Sequence, residues 1–195
     1  MTDGASHSQE QGVTVDSLPE RLPTPARPEL RAVYREHFTH VWLTLRRLGV
    51  AERDIEDAAH EVFLVVHRRL ADYDPRRPLR PWLTGIAYRV AADERRRARH
   101  RREEPVGARE PADRAPGPEE QAATHQEQEL VRQALAALPP ERRVVFVMHE
   151  LDGCTMPEVA EALAVPLNTC YSRLRLGREQ FVAALTRLRP SRRER

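Results

Sequence analysis

Asn168, Thr169, Ser172 and Arg175 recur at the spacing of one helical face. At about 100° per residue, Leu176 joins that face. Leu167, Cys170, Leu174, Gly177, Phe181 and Leu185 form the opposite stripe, and Tyr171, Arg173 and Arg178 lie on the flanks. Arginine can pair bidentately with guanine, Ser and Thr adapt to several base edges, and Leu can meet a thymine methyl. Flanking arginines suit phosphates, which position a protein without reading sequence. The chemistry this pattern allows is recognition in a major groove; a helical hairpin with a plain solvated face has the same pattern. A second cluster is Arg95-Arg96-Arg97-Ala-Arg99-His-Arg101-Arg102. Six arginines in eight helical positions cannot all point one way. Such a run is either a solvated helix end or a phosphate contact whose affinity falls steeply with salt.

Other chemistry finds little support. Cys154, Cys170 and His149 match no standard zinc spacing. Cys170 reads as a small core residue. His60-Glu61 lacks the second histidine of a metalloprotease helix. Neither a phosphate-binding glycine loop nor a G-x-S-x-G elbow occurs. No cofactor, no metal and no enzyme activity is expected. His37 and His40 read as surface residues of the first helix.

Positioning these clusters falls to a set of helices. Leu30, Val33, Tyr34, Val41, Trp42, Leu45 and Leu48 recur at three- and four-residue steps, and Gly49 follows as a stop. A second helix is expected from about Arg53 to Ala71, with Ile55, Ala58, Ala59, Val62, Phe63, Val66 and Leu70 inward. A Pro-bounded loop, 72–78, precedes a third helix that starts near Leu79 and buries Trp82, Leu83, Ile86, Ala87 and Val90. Beyond a Pro-rich stretch, Leu130, Val131, Ala134, Leu135 and Leu138 mark another helix. Pro139-Pro140 ends it, and Pro140 can open the next, which carries Val144, Val145, Val147, Met148 and Leu151. After Asp152-Gly153, Thr155 with Glu158 forms a capping box. The helix it opens buries Val159, Ala160 and Leu163. Val165-Pro166 then turns the chain into a last helix from about Leu167 to Leu188. The short capped helix, tight turn and longer helix have the form of a helix-turn-helix.

The expected fold is therefore all-α, with two small helical domains joined by a flexible linker and the second a helix-turn-helix domain. Residues 1–28 read as a disordered arm, 29–103 and 119–189 as the domains, 104–118 as the linker and 190–195 as a basic tail. Composition agrees. The chain has 195 residues, 16 prolines, 8 glycines and no lysine among its 32 basic residues. That argues against an all-β fold with turns at regular spacing. Net charge is only +2 but alternates: −3 over 1–30, +5 over 31–100, −3 over 101–128 and +3 over 129–195. Two basic blocks suggest two contacts on one long polyanion. The longest apolar runs are far short of the about 20 residues that span a bilayer, so no membrane insertion is expected. The first thirty residues have no signal-peptide pattern. Two cysteines make no disulfide framework. A soluble protein of the reducing cytoplasm is expected.

Several stretches together resemble one family. Asp57-Ala-Ala-His-Glu-Val-Phe63 resembles the D-x-x-Q-E-V-F stretch of bacterial sigma factors. Tyr73-Asp74-Pro75, then Leu79-Arg-Pro-Trp-Leu-Thr-Gly-Ile-Ala87, resembles their F-D-P and F-R-x-W-L-x-x-I-A segments, and Asp93 with Arg95-Arg96-Arg97 continues it. Leu138-Pro139-Pro140-Glu141-Arg142 resembles L-P-E-R. Asp152-Gly153, then Glu158-Val159-Ala160-Glu161-Ala162-Leu163, resembles E-G and E-I-A-E-I-L. Pro166-Leu-Asn-Thr-Cys-Tyr-Ser-Arg-Leu174 resembles P-V-G-T-V-K-S-R-L. The resemblance covers about 30–103 and 120–188, and the short linker matches the two-domain extracytoplasmic-function (ECF) type.

This resemblance implies a subunit that binds core RNA polymerase and directs it to promoter DNA, with an anti-sigma factor as a further partner that can hold it near the membrane. It implies polymerase contacts at Asp57, His60 and Glu61, where His60 replaces the family's Gln. It implies that loop 72–80 captures a flipped minus-ten base, readable on its pairing edge, with Trp82 bracing the loop. Arg76, Arg77, Arg80, Arg89, Arg96 and Arg97 are the expected minus-ten contacts; Arg89 stands where the family has Asn. Asn168, Thr169, Tyr171, Ser172, Arg173, Arg175 and Arg178 are the expected minus-thirty-five contacts. A stand-alone helix-turn-helix regulator is the alternative, and the 57–63 and 73–89 resemblances weigh against it.

Overall fold

The computed structural model describes residues 28–103 and 119–189. The expected linker, the basic tail and all but the last residue of the expected arm lie outside them. Among the described residues there are seven α-helices and no strand. They are α1 (Leu30–Arg47), α2 (Ile55–Arg69), α3 (Leu79–Glu103), α4 (Glu119–Ala136), α5 (Pro140–Phe146), α6 (Met156–Leu163) and α7 (Leu167–Leu188). None is long and apolar enough to cross a membrane.

The N-terminal half is a bundle of α1, α2 and α3. Val33, Val41, Leu45, Val62, Val66, Leu83 and Ile86 are each at most 1% exposed. Gly49 stops α1 as its position suggests. With φ of 88° it lets its own N–H reach the Arg46 carbonyl and the Val50 N–H reach the Leu45 carbonyl, both at 3.1 Å. That is the Schellman ending, which favours a residue without Cβ. A short 3₁₀ turn, Glu52–Asp54, leads into α2, and another, Leu70–Asp72, follows it.

The C-terminal half is α4 to α7. Pro140 does open α5. The helix then widens into a π-type turn, Val147–Leu151, before Asp152 and Gly153, the latter at φ of 70°. The capping box forms: the Thr155 N–H donates to Glu158 Oε2 at 2.7 Å. Leu135, Leu138, Phe146 and Val147 are buried, and the Phe146 and Phe181 rings lie 4.6 Å apart.

Several expectations fail for local reasons. Leu151 is exposed because the wide turn shifts it off the face that Val144 and Met148 share. Leu167 is exposed in the first turn of α7, before that helix meets the core. Val131 lies on the rim of a groove between α1 and α4. Tyr34 is exposed, although its ring centroid is 4.7 Å from that of Phe63, and Trp82 is only half-buried. The histidines also differ from the sequence reading, being partly buried rather than surface residues. His40 packs between α1 and α3 with Nε2 3.1 Å from Thr84 Oγ1. Burial, then the nearby Arg80, pushes its pKa down to about 4, and burial also lowers that of His37.

The two halves share one core. Leu48, Ala87 and Ala91 belong to the same apolar cluster as Val144, Val145, Met148 and Cys154. Arg143, only 8% exposed, crosses the seam. Its Nη1 donates to the Leu48 carbonyl at 2.9 Å, and its Nη2 to the Ala136 and Leu138 carbonyls at 2.8 and 3.0 Å. Arg95 Nη1 reaches the same Leu48 carbonyl at 3.2 Å. These guanidiniums sit where helix carbonyls end unpaired and carry partial negative charge, which favours a cation there. Burial lowers the Arg143 pKa, though an arginine keeps its proton at neutral pH. Arg47 and Asp152 add an ion pair at 3.0 Å.

Candidate nucleic-acid interface

On α7 the apolar stripe packs inward and the polar face stays out. Cys170, Leu174 and Gly177 are buried, whereas Asn168, Tyr171, Ser172, Arg175 and Arg178 are exposed, with Thr169 and Arg173 intermediate. Tyr171 is 52% exposed and projects its ring from this face. Ser172 Oγ donates back to the Asn168 carbonyl at 2.9 Å. Arg175 pairs with Glu179 at 2.8 Å and Arg178 with Glu150 at 2.6 Å, both near the surface. Such pairs are worth little, so phosphates can compete for these guanidiniums. The turn into α7 places Ala164 in the left-handed region at φ of 55°.

The second cluster surrounds loop 72–80. Tyr73 is buried, its ring 5.1 Å from that of Trp82, and its hydroxyl donates to the Arg77 carbonyl. The Trp82 ring therefore packs against the start of the loop. Asp74 organises the tip: it accepts from the Arg76 backbone N–H at 3.1 Å and from Arg76 Nε and Nη2 at 3.0 Å. Those hydrogen bonds hold the Asp74 carboxyl below its ordinary pKa. Arg77 pairs with Asp74 and with Glu161 of the other half. Arg80 is exposed and close to His37 and His40. Arg89 Nη1 donates to the Gly85 carbonyl at 3.1 Å and its Nη2 to the Ala162 carbonyl at 3.2 Å. A cleft of about 440 Å³ lies between this loop, α3 and α6.

The arginine run divides. Arg95 turns into the seam, and Arg96 and Arg97 face out. Arg96 pairs with Asp93, while Arg97 pairs with Glu94 at 2.5 Å and with Glu61 at 3.0 Å. The side chains of Arg101 and Arg102 fall outside the described ones.

On α2, Asp57 and His60 are exposed and Glu61 is intermediate, all on the outer face. Leu64 completes that face at 55% exposure. Its place seven residues after Asp57, one face of a helix, was the missed signal. Among the described residues no three His, Cys, Asp or Glu come together to hold a metal ion. Burial pushes the Cys154 thiol up to about 11 and raises Cys170 as well, so neither is a ready nucleophile.

Comparisons with known proteins fit this layout. The model of Sigma-70 region 2 matches residues 33–101, and that of Sigma-70, region 4 matches 128–181. The chain is 32% identical to the ECF RNA polymerase sigma factor SigE of Mycolicibacterium smegmatis, over 80% of its own length and 61% of that protein's. It is 31% identical to RNA polymerase sigma factor CnrH of Cupriavidus metallidurans, over 72% of this chain and 78% of CnrH. With the ECF RNA polymerase sigma factor SigL of Mycobacterium tuberculosis it shares 31% over 74% and 82%. The fold resembles that of CnrH solved with the cytosolic domain of CnrY (TM-score 0.60, 23% identity, 82% of this chain and 89% of that one). It also resembles the sigma factor RpoE solved with the anti-sigma factor NepR from Bartonella quintana (TM-score 0.62, 15% identity, 82% and 98%). Matches to both sigma regions, in order along the chain, and relatives above 30% identity that it covers over most of their length establish that the chain belongs to the ECF RNA polymerase sigma factors.

Proposed function

We propose that this chain binds core RNA polymerase and directs it to promoters as an alternative sigma factor, with no catalysis of its own. The observation that carries the proposal is the order of two sigma regions in one chain, the second presenting the exposed polar face of α7. The work divides between the halves. Residues 29–103 serve core binding and the minus-ten element, and 119–189 serve the minus-thirty-five element. Asp57, His60 and Glu61, with Leu64 beside them, form the polymerase-facing surface: carboxylates around one exposed apolar side chain, the usual make-up of a contact centre and rim. Loop 72–80 receives an extruded base, with Arg76, Arg77, Arg80, Arg89, Arg96 and Arg97 for phosphates and base edges. Asn168, Thr169, Tyr171, Ser172, Arg173, Arg175 and Arg178 contact the upstream duplex. The chain acts where core polymerase is, in the cytoplasm. CnrH and RpoE were solved with CnrY and the anti-sigma factor NepR, and a protein of that kind is expected to restrain this chain too.

Run-off transcription with purified core polymerase on fragmented genomic DNA from the source tests this. Discrete transcripts that require the protein are expected, and their start sites reveal both promoter elements. Asp57→Arg with Glu61→Arg should abolish co-purification with core and leave helicity unchanged. Unchanged binding would remove α2 as the polymerase-facing surface. Transcripts absent from wild type, with tight duplex binding by the chain alone, would make it a stand-alone regulator.

A further inference from the structure

The last two turns of α1 and the second half of α4 flank a groove of about 510 Å³, which the wide turn after α5 also lines. Leu43, Val131 and Leu151 line it, one from each of these elements, and are 36%, 37% and 40% exposed. Val131 and Leu151 have the helical spacing of core residues, yet no described element covers them. Aliphatic side chains gathered in one groove, unlike single ones scattered over a surface, mark a contact site. The groove is also basic. Arg46, Arg47 and Arg132 line it against one carboxylate, Glu127. Asp152 holds Arg47, but Arg46 pairs with Glu52 at 3.7 Å and Arg132 with Glu129, all well exposed. Such pairs are worth little, so Arg46 and Arg132 can accept another carboxylate at small cost.

A fitting occupant is aliphatic with carboxylates interleaved, and the chain before Pro28 carries such a segment. Val13-Thr-Val15-Asp16-Ser-Leu18-Pro-Glu20-Arg-Leu22 holds four branched aliphatic side chains within ten residues, with Asp16 and Glu20 between them. The other stretches outside the described residues do not match: 104–118 has one branched aliphatic side chain, Val106, and 190–195 has none. Reach agrees. Leu43 lies thirteen residues after Leu30 on α1, about 20 Å at 1.5 Å per residue. The eight residues from Leu22 to Leu30 can span at most about 26 Å. Leu22 can therefore stand beside Leu43, with Leu18 and Val15 following the groove beyond it.

We propose that residues 13–22 dock in the α1–α4 groove of their own chain, with aliphatic side chains on Leu43, Val131 and Leu151 and carboxylates toward Arg46 and Arg132. Of the segment that composition reads as a disordered arm, this is the part that orders. Ordering it costs conformational entropy. The tether offsets part of that cost, because docking within one chain proceeds at a high effective concentration. The proposal needs neither polymerase nor DNA and stands apart from the sigma-factor reading.

Hydrogen exchange read by mass spectrometry tests it on the full chain, in wild type, in Leu18→Asp with Leu22→Asp, and in Val131→Asp. Circular dichroism checks that helicity holds. Leu151→Asp, in the wide turn rather than in α4, repeats the groove test if Val131→Asp lowers helicity. In wild type the amides of 13–22 should exchange at least about ten-fold slower than those of 104–118, the mark of a docked segment. The arm variant and the groove variant should each abolish that difference. A benzophenone side chain placed at position 18 should crosslink to peptides of the same chain that hold Leu43, Val131 or Leu151. Equal exchange of 13–22 and 104–118 in wild type overturns the proposal. So does protection that survives both groove variants, which places the segment elsewhere. Protection that fades on dilution, with crosslinks between chains, overturns it by giving the groove to the arm of a second copy.

Discussion

Loop 72–80 with α3 on one side, and α7 on the other, are built from similar material and held in opposite states. Both offer arginines beside aromatic or small polar side chains. On α7 the arginines Arg175 and Arg178 pair only with surface glutamates, and Tyr171 projects outward. Around the loop, Arg89 and Arg77 are bound to α6, and Tyr73 is buried beneath Trp82. The difference does not lie in residue type. It lies in whether another element of the chain has a small enough neighbour to approach. Gly85 lets α6 approach α3, whereas the polar face of α7 points away from the core.

The strongest way to break this contrast is to remove the residue that ties the halves. Arg143→Met should leave the Ala136 and Leu138 carbonyls without their side-chain donor and the Leu48 carbonyl with Arg95 alone. At about 1–3 kcal/mol for each orphaned buried group, partly relieved by water, the expected loss is about 4 kcal/mol. Urea unfolding measures it. A single cooperative transition should split into two if the halves retain separate stability.

The next prediction concerns acid and the covered side alone. His40 has a pKa near 4 in the folded protein against 6.5 for the ordinary group. A depressed histidine binds fewer protons folded than unfolded. It therefore adds nothing to the pH dependence above pH 6.5, and stability falls as pH drops from 6.5 towards 4. The full effect is about 3 kcal/mol. His40→Gln, which can keep the bond to Thr84, should flatten that part of the profile. An unchanged slope between pH 6.5 and 4 would mean that His40 accepts a proton in place.

DNA contact sharpens the contrast directly. Arg175→Ala should weaken promoter-duplex binding by about 2 kcal/mol in wild type, the scale of one arginine–base pairing. Arg89→Ala should change binding little, because the Gly85 and Ala162 carbonyls hold that guanidinium. Titration of a fluorescent promoter fragment, found by run-off mapping, compares wild type with the two variants. An equal loss in both variants would show that Arg89 reaches DNA despite those bonds.

The smallest expected effect is at the start of α6. Thr155→Ala removes half of the capping box and should cost about 1 kcal/mol. Hydrogen exchange should rise in α6 and in the α3 segment beneath it, and not in the distal half of α7.

Much of this layout is readable along the chain. The three- and four-residue steps of Val33, Val41 and Leu45, or of Cys170, Leu174 and Gly177, place helices and their inward faces. Thr155 with Glu158, Pro140 and Gly49 mark boundaries, because caps and stops act over a few residues. Periodicity failed where the helix changed its own period, at the wide turn that exposes Leu151. It also failed where a polar residue meets a partner far along the chain, as His40 meets Thr84.

The sequence by itself determined the helices, their ends, the polar face of α7 and the family to which the order of motifs belongs. These rest on local rules: side-chain direction at about 100° per residue, backbone freedom at glycine, and hydrogen bonds within a turn. Only the tertiary structure decided that Arg143 reaches Leu48, 95 residues away, and that Gly85 receives α6. It also decided that Leu64 stands beside Asp57 and His60 on an uncovered face. A glycine in a helix and an arginine near a helix start look the same in sequence whether they face water or a second domain. What separates the two cases is the distance at which another backbone comes to rest, and close packing between the halves fixes that distance.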